Sequence, residues 1–306
     1  MNYGRLTGVE LPISRLIIGA NRQTTYEGGS ALYEDFFARG GTTYDTAWVY
    51  GGGLCEQVLG QWIEARGIRR QVVILDKGAH TPFCTPEHVT SQLAESLDRL
   101  RTDYVDIYLL HRDNLDVPAG EFIDVLNEHR RAGRMRIFGA SNWTIERFEA
   151  ANAYARAKGV TGLAALSNQF SLARMIVPPW PGCLGSSDAA SRAWLERTQT
   201  PLLAWSSLGR SFFSRPADPA DRSDAEMVAC WHCDDNFQRL ERARDLARQR
   251  GVLPVQIALA YVLCQPFPVY ALIGPKKVEQ TSVSLAALEI ELSAEERAWL
   301  NLERPA

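Results

Sequence analysis

Cysteine is scarce in this chain, with six in 306 residues. Their spacing is irregular, so they do not outline a disulfide framework. One close pair exists, Cys230-Trp231-His232-Cys233. No second C-x-x-C accompanies it and no strand precedes it, so it reads as a chance spacing in a loop. Histidine is scarcer, at five. With no H-x-H or H-E-x-x-H, no metal centre is expected. The formal net charge is only -3, which counts against nucleic acid or anionic membrane as the main partner. No run approaches the roughly 18 apolar residues of a membrane span. The opening MNYGRLTGVELPISR lacks the blocks of a signal peptide, so a cytoplasmic protein is expected. There is also no G-x-G-x-x-G after any strand-like run, which disfavours a doubly wound dinucleotide fold.

What is present is a 46% hydrophobic chain, long enough for one large core or two ordinary ones. Its pattern alternates. Short apolar runs at 14–20, 42–47, 71–78, 105–111, 136–142, 163–170, 201–208 and 268–273 read as strands. Helical stretches at 31–39, 54–66, 86–100, 121–131, 145–158, 188–198, 237–250, 255–263 and 278–288 lie between and after them. Thr85 and Pro86 suit a helix start, Gly159 a helix stop, and Ser293 with Glu296 a capping box. Eight strand–helix pairs predict an α/β fold, the (β/α)8 TIM barrel, as a single domain over 1–306. Continuous apolar runs suit parallel strands covered on both faces. Two stretches, 174–187 and 210–235, are too long for plain connections. They come after the sixth and seventh strands, so long C-terminal-face loops are expected to act as lids.

In such a barrel the strand ends converge on one pocket. Strand two ends at Asp45 and its loop carries Tyr50. Strand three ends at Asp76-Lys77, and strand four at His111-Arg112-Asp113. Strand five ends at Ser141-Asn142, strand six at Asn168-Gln169, and strand seven delivers Trp205-Ser206-Ser207. A phenol of ordinary pKa about 10 is a poor acid near neutrality. A neighbouring ammonium, here Lys77, would favour the phenolate. Asp45 would hold that ammonium, and His111 would bond the substrate oxygen or relay a proton. The set makes a general acid aimed at a developing alkoxide, as carbonyl reduction by hydride requires. Ser141, Asn142 and Gln169 suit a nicotinamide carboxamide, and Trp205 its ring. Taken singly, each residue also has a plain structural role, such as a cap, a packed aromatic or a solvated end. His80, His88, His129 and His232 lack such company, and surface or capping roles are expected for them. Two rivals for a barrel are metal hydrolysis and a Schiff-base isomerase or lyase using Lys77. The first lacks ligands, and the second needs neither Tyr50 nor Trp205.

These residues resemble the aldo-keto reductase family over almost the whole chain. The resemblance is carried by DTAWVYGGGLCEQVLG (45–60), the Lys77 strand end, YVDIYLLHR (104–112), IFGASNW (137–143) and AWSSLGR (204–210). It implies a tetrad of Asp45, Tyr50, Lys77 and His111, and NAD(P)H-dependent reduction of an aldehyde or ketone. Tyr50 would be the acid and cofactor would bind first. It implies cofactor contacts at Gly19, Asn21, Asp45, Ser141, Asn142, Gln169 and Trp205, with Ser206, Ser207, Leu208 and Gly209 along the pyrophosphate. The adenine end would meet Gly274, Lys276, Lys277, Gln280 and Ser284. Gln280 stands where the family has Arg, and Val283-Ser284 where it has Glu-Asn. The two lysines favour NADPH over NADH by charge pairing with the 2′-phosphate. Trp48, Tyr50, His111 and Trp143 are the expected substrate contacts. The expected partner is a small carbonyl or alcohol, and no pattern assigns an oligomeric state. The alternative from another class is a nicotinamide-binding regulatory subunit with the same fold and little turnover.

Overall fold

The computed structural model describes residues 1–214 and 218–304. Eight strands form a closed parallel barrel. They are β1 (Leu16–Gly19), β2 (Thr43–Asp45), β3 (Val73–Gly78), β4 (Val105–Leu110), β5 (Met135–Ser141), β6 (Leu166–Ser167), β7 (Leu202–Ala204) and β8 (Val269–Ile273). The order around the barrel is β8, β1, then β2 through β7. Every residue of β3 and β4 is buried, as strands packed on both faces must be. A short antiparallel pair, Tyr3–Gly4 with Ile13–Ser14, precedes the barrel.

The connecting helices start and stop where local chemistry dictates. Helix α1 (Tyr26–Ala38) is capped by Thr25, which accepts from the Gly28 amide. Helix α2 (Leu54–Arg66) ends at Gly67 in the left-handed region. Helix α3 (Pro86–Leu100) has Thr85 as cap and proline at its first position. A Cβ at Gly60 of α2 would meet the Leu100 backbone at 2.6 Å, so glycine lets α2 lie directly against the end of α3. Helix α4 (Ala119–Arg131) is succeeded by α5 (Ile145–Lys158), capped by Thr144 and stopped by Gly159. Helix α6 (Ala189–Thr198) is capped by Asp188. Then come α7 (Ala225–Trp231), α8 (Asp234–Arg250), α9 (Pro254–Leu263) and α10 (Val278–Ala286). The last helix, α11 (Ala294–Leu300), has the Ser293–Glu296 capping box.

Two compact units divide the chain. One is Met1–Ser167 with Gly274–Val278, and the other Asn168–Ile273 with Glu279–Ala306. The first has an aromatic core. Tyr44 packs against Tyr33 at 5.8 Å and Trp62 at 5.2 Å between centroids. The second stacks Phe170 on Tyr261 at 6.3 Å and sets Phe267 edge-on at 5.8 Å. Among the described residues, no helix is long and apolar enough to cross a membrane.

Several elements differ from their sequence-based expectation. Helix α1 begins at Tyr26, five positions before the apolar periodicity does, because the Thr25 cap carries it through Gly28-Gly29. Strands two, six and seven are shorter than their apolar runs. After Ser167 the chain leaves β6, and the Gln169 amide bonds the Leu184 carbonyl at 2.9 Å instead. The stretch 210–235 is not all loop: Asp224 caps α7, which ends in Cys230-Trp231, while Cys233 stands at the cap position of α8. The C-x-x-C therefore spans a helix-to-helix junction, and both thiols are free. Within that stretch, residues 215–217 lie outside the described residues.

Candidate active site

Parallel pairing in the first unit sets Asp45 opposite Leu75 and Lys77 opposite Leu109. Asp45, Lys77 and His111 thus stand at the ends of three neighbouring strands. The side-chain period of two sends Asp76 to the opposite face from Lys77. Tyr50 arrives by the loop after β2. Its amide bonds the Ala47 carbonyl at 2.9 Å. Gly51, Gly52 and Gly53 come next with φ of 58°, 63° and 92°, a left-handed run that side chains resist. The turn delivers the phenol to Lys77. Lys77 Nζ lies 2.6 Å from Asp45 Oδ1, 2.7 Å from the Thr46 carbonyl and 3.4 Å from the Tyr50 hydroxyl. The Tyr50 ring meets His111 edge-on at 5.6 Å.

The charges depend on this packing. Burial pushes Asp45 up, against the pull of Lys77. Burial alone would lower Lys77, but Asp45 and Tyr50 reverse it and the ammonium is held above its ordinary value. Desolvation raises the Tyr50 phenol, Lys77 draws it back, and the balance stays upward. The lysine thus offsets burial rather than making Tyr50 a stronger acid than free tyrosine. His111 is held well below its usual value by burial, then by Lys77 and Arg112. It is a neutral imidazole near neutrality, with a buried Nδ1 that has no hydrogen-bond partner among the described residues.

The other residues of this unit gather around the tetrad to different degrees. Asn142 donates to the His111 carbonyl at 3.2 Å and to Ser141 Oγ at 3.0 Å. Ser141 Oγ donates to the Ser167 carbonyl at 2.9 Å. Trp48 is part-exposed and its indole N–H donates to Glu95 at 2.8 Å. Trp143 is fully buried. It donates to the Arg112 carbonyl and packs on Phe122. Gly19 pairs with Asp45 across β1 and β2, and Asn21 is exposed just beyond. Gly274, Lys276 and Lys277 are exposed after β8. His80 is half-buried, and its ring stands edge-on to His111 at 4.8 Å. His129 corrects the expectation of a surface role: it is buried and bonded to Thr90 and Arg134.

The second unit carries the remaining expected cofactor contacts. Gln169 is fully buried, and its Nε2 donates to Ser171 Oγ at 2.8 Å. Its Oε1 and the Trp205 indole N–H are buried with no hydrogen-bond partner among the described residues. Ser207 Oγ donates to the Leu272 carbonyl at 2.7 Å. Ser206, Gly209 and Arg210 take positive φ, folding 206–210 into a tight turn around Leu208. Ser284 donates to the Gln280 carbonyl. A nicotinamide fits this donor set, since a carboxamide N–H has an acceptor waiting at Gln169 Oε1. Among the described residues, no group of three or more His, Cys, Asp and Glu is placed to hold a metal ion.

Comparison with known proteins matches residues 15–301 to the Aldo/keto reductase family. The chain is 26% identical to the uncharacterized oxidoreductase YrpG of Bacillus subtilis (strain 168), over 98% of this chain and 95% of that protein. It is 28% identical to norsolorinic acid reductase stcV of Emericella nidulans, over 89% and 70% of the two. Among solved structures, an aldo-keto reductase from Klebsiella pneumoniae in complex with NADPH superposes with TM-score 0.74 at 25% identity, covering 100% and 96% of the chains. A thermostable aldo-keto reductase, Tm1743, gives TM-score 0.76 at 24% identity and 99% coverage of both.

Proposed function

The chain belongs to the aldo/keto reductase family and is an NAD(P)H-dependent oxidoreductase; we propose that it reduces an aldehyde or ketone to the alcohol, with NADPH as reductant and Tyr50 as proton donor. The observation that carries this reading is Lys77 held between Asp45 and Tyr50. Asp45 keeps the ammonium in place. The ammonium stabilises the phenolate that forms as Tyr50 gives up its proton. His111, neutral and beside Tyr50, offers a hydrogen bond to the substrate oxygen without adding a competing charge. When bound, the nicotinamide supplies the hydride.

For the cofactor, we assign Ser141 and Asn142 of the first unit to its carboxamide, with Gly19 and Asn21 nearby. In the second unit, Gln169 Oε1 takes a carboxamide N–H and Trp205 stacks on the ring. The turn 206–209 meets the pyrophosphate, and Gln280 with Ser284 the adenine end. Lys276 and Lys277, both exposed, meet the 2′-phosphate. Trp48 forms a substrate wall beside Tyr50. The similar reductase that acts on norsolorinic acid, by its name, and the NADPH-bound structure support a carbonyl substrate and this cofactor.

The test is NADPH oxidation, monitored by absorbance, with a panel of aromatic aldehydes, sugars and α-dicarbonyls. Turnover with at least one is expected. NADPH binding with no turnover on any would favour a nicotinamide-sensing regulatory subunit instead.

A further inference from the structure

Arg99, on the last turn of α3, makes contacts that a solvated helix face does not need. Its Nη1 donates to the Trp48 carbonyl at 3.2 Å and to Glu56 Oε2 at 2.9 Å. Its Nη2 donates to Glu95 Oε2 at 2.9 Å. That same Glu95 oxygen accepts from the Trp48 indole at 2.8 Å. A Cβ at Gly53 would lie 2.6 Å from the guanidinium carbon, so the loop leaves room for this side chain. Glu56 is fully buried and opens α2. One side chain therefore grips the loop on both sides of Tyr50, at Trp48 and at Gly53–Glu56.

The peptide on the other side of Trp48 is also held. The Trp48 amide donates to the Lys77 carbonyl at 2.8 Å, and Lys77 Nζ donates to the Thr46 carbonyl at 2.7 Å. Trp48 is two residues from Tyr50. Its N–H is tied to β3 and its C=O to α3, so the register of the phenol against Lys77 is set at this point. The contact between the two groups is already long, at 3.4 Å, and a small drift of the loop would break it. The close approach of α2 and α3 at Gly60 keeps Arg99 within reach of Glu56.

From this geometry we infer that Arg99 is a positioning residue for Tyr50, holding its loop at the distance that proton transfer needs. The inference rests on Tyr50 being the proton donor. A planar fork meeting a carbonyl and two carboxylates is only partly replaced by a single ammonium.

The experiment compares Arg99→Met, Arg99→Lys and Glu95→Ala with wild type for kcat, KM of an aldehyde, NADPH Kd and Tm, and for the isotope effect with deuterated NADPH. In Arg99→Met, kcat should fall about 10- to 100-fold, the scale expected of a misplacement near 1 Å. The NADPH Kd should hold and the isotope effect should rise, because chemistry becomes limiting. Arg99→Lys should recover part of kcat. Glu95→Ala removes a carboxylate whose side chain is half exposed; it should fold normally and show a smaller loss of kcat. If Arg99→Met does not fold, the other two decide. Folded variants that lose Tm but keep wild-type kcat and isotope effect would overturn the inference. Tyr50→Phe in parallel separates the two claims. If it retains turnover, the proton-donor reading itself fails; if it is inactive while the Arg99 variants are not slowed, only the positioning role falls.

Discussion

Lys77 Nζ is 2.6 Å from Asp45 Oδ1, and both side chains are almost wholly buried. A buried ion pair is costly to break from one side, because the partner left behind keeps its charge without compensation. Lys77→Met should therefore cost about 3–5 kcal/mol of stability as well as turnover. The double variant Lys77→Met/Asp45→Asn should regain part of the stability and none of the turnover. Denaturant midpoints check this, and a double variant no more stable than the single would contradict it.

The pH profile should be flat where histidine usually titrates. His111 is held well below its ordinary value, so it is already neutral at pH 6 and stays so as pH rises. Tyr50 is held above its ordinary 10.0 and keeps its proton. The rate of reduction should then be level from about pH 6 to pH 9 and fall only at higher pH, as the phenol ionises. An inflection near the usual histidine value would mean that His111 changes charge during turnover.

Asp76 faces away from the tetrad, fully buried beside Glu56. Desolvation first, then Glu56, holds its carboxyl well above the ordinary carboxylate value of 3.8. A group raised on folding contributes stability at low pH, and that contribution is lost as pH rises through its folded value. Asp76→Asn carries no such liability. Its stability relative to wild type should improve as pH rises above the ordinary carboxylate value of 3.8, read from unfolding midpoints across a pH series. A difference independent of pH would show that Asp76 does not take up a proton in the folded protein.

The lysine pair should discriminate between the two nicotinamide cofactors. Lys276→Ala and Lys277→Ala should each weaken NADPH by about 1.5–3 kcal/mol, the scale of a hydrogen bond to a charged group. NADH affinity should barely change. Equal losses for both, measured by fluorescence titration, would remove the 2′-phosphate assignment.

Much of the fold and site is legible in the sequence because the barrel repeats one rule. Apolar runs ending in polar residues mark strand ends, so Asp45, Lys77, His111 and Ser141 can be placed in register from the chain alone. The start of helix α1 is harder to read, since Gly28-Gly29 hides the periodicity and only the Thr25 cap reveals it. Helix α7 escapes a periodicity search because it spans a mere seven residues inside a polar stretch. Arg99 is invisible for a different reason. With Glu95 it reads as an ordinary i,i+4 surface pair, and only the packing of α3 on α2 brings it to the Trp48 carbonyl 51 residues away. His80 reads as a surface residue on the same grounds, since nothing local points its ring at His111.

Tyr50→Phe removes one oxygen from the group that Lys77 faces and little else, so its turnover bears on the proton-donor role with few side effects. A positioned general acid contributes about 100- to 10,000-fold to rate. The kcat for carbonyl reduction should fall by at least that order in the variant, with NADPH binding almost unchanged. Wild-type kcat in Tyr50→Phe would mean that the proton comes from elsewhere.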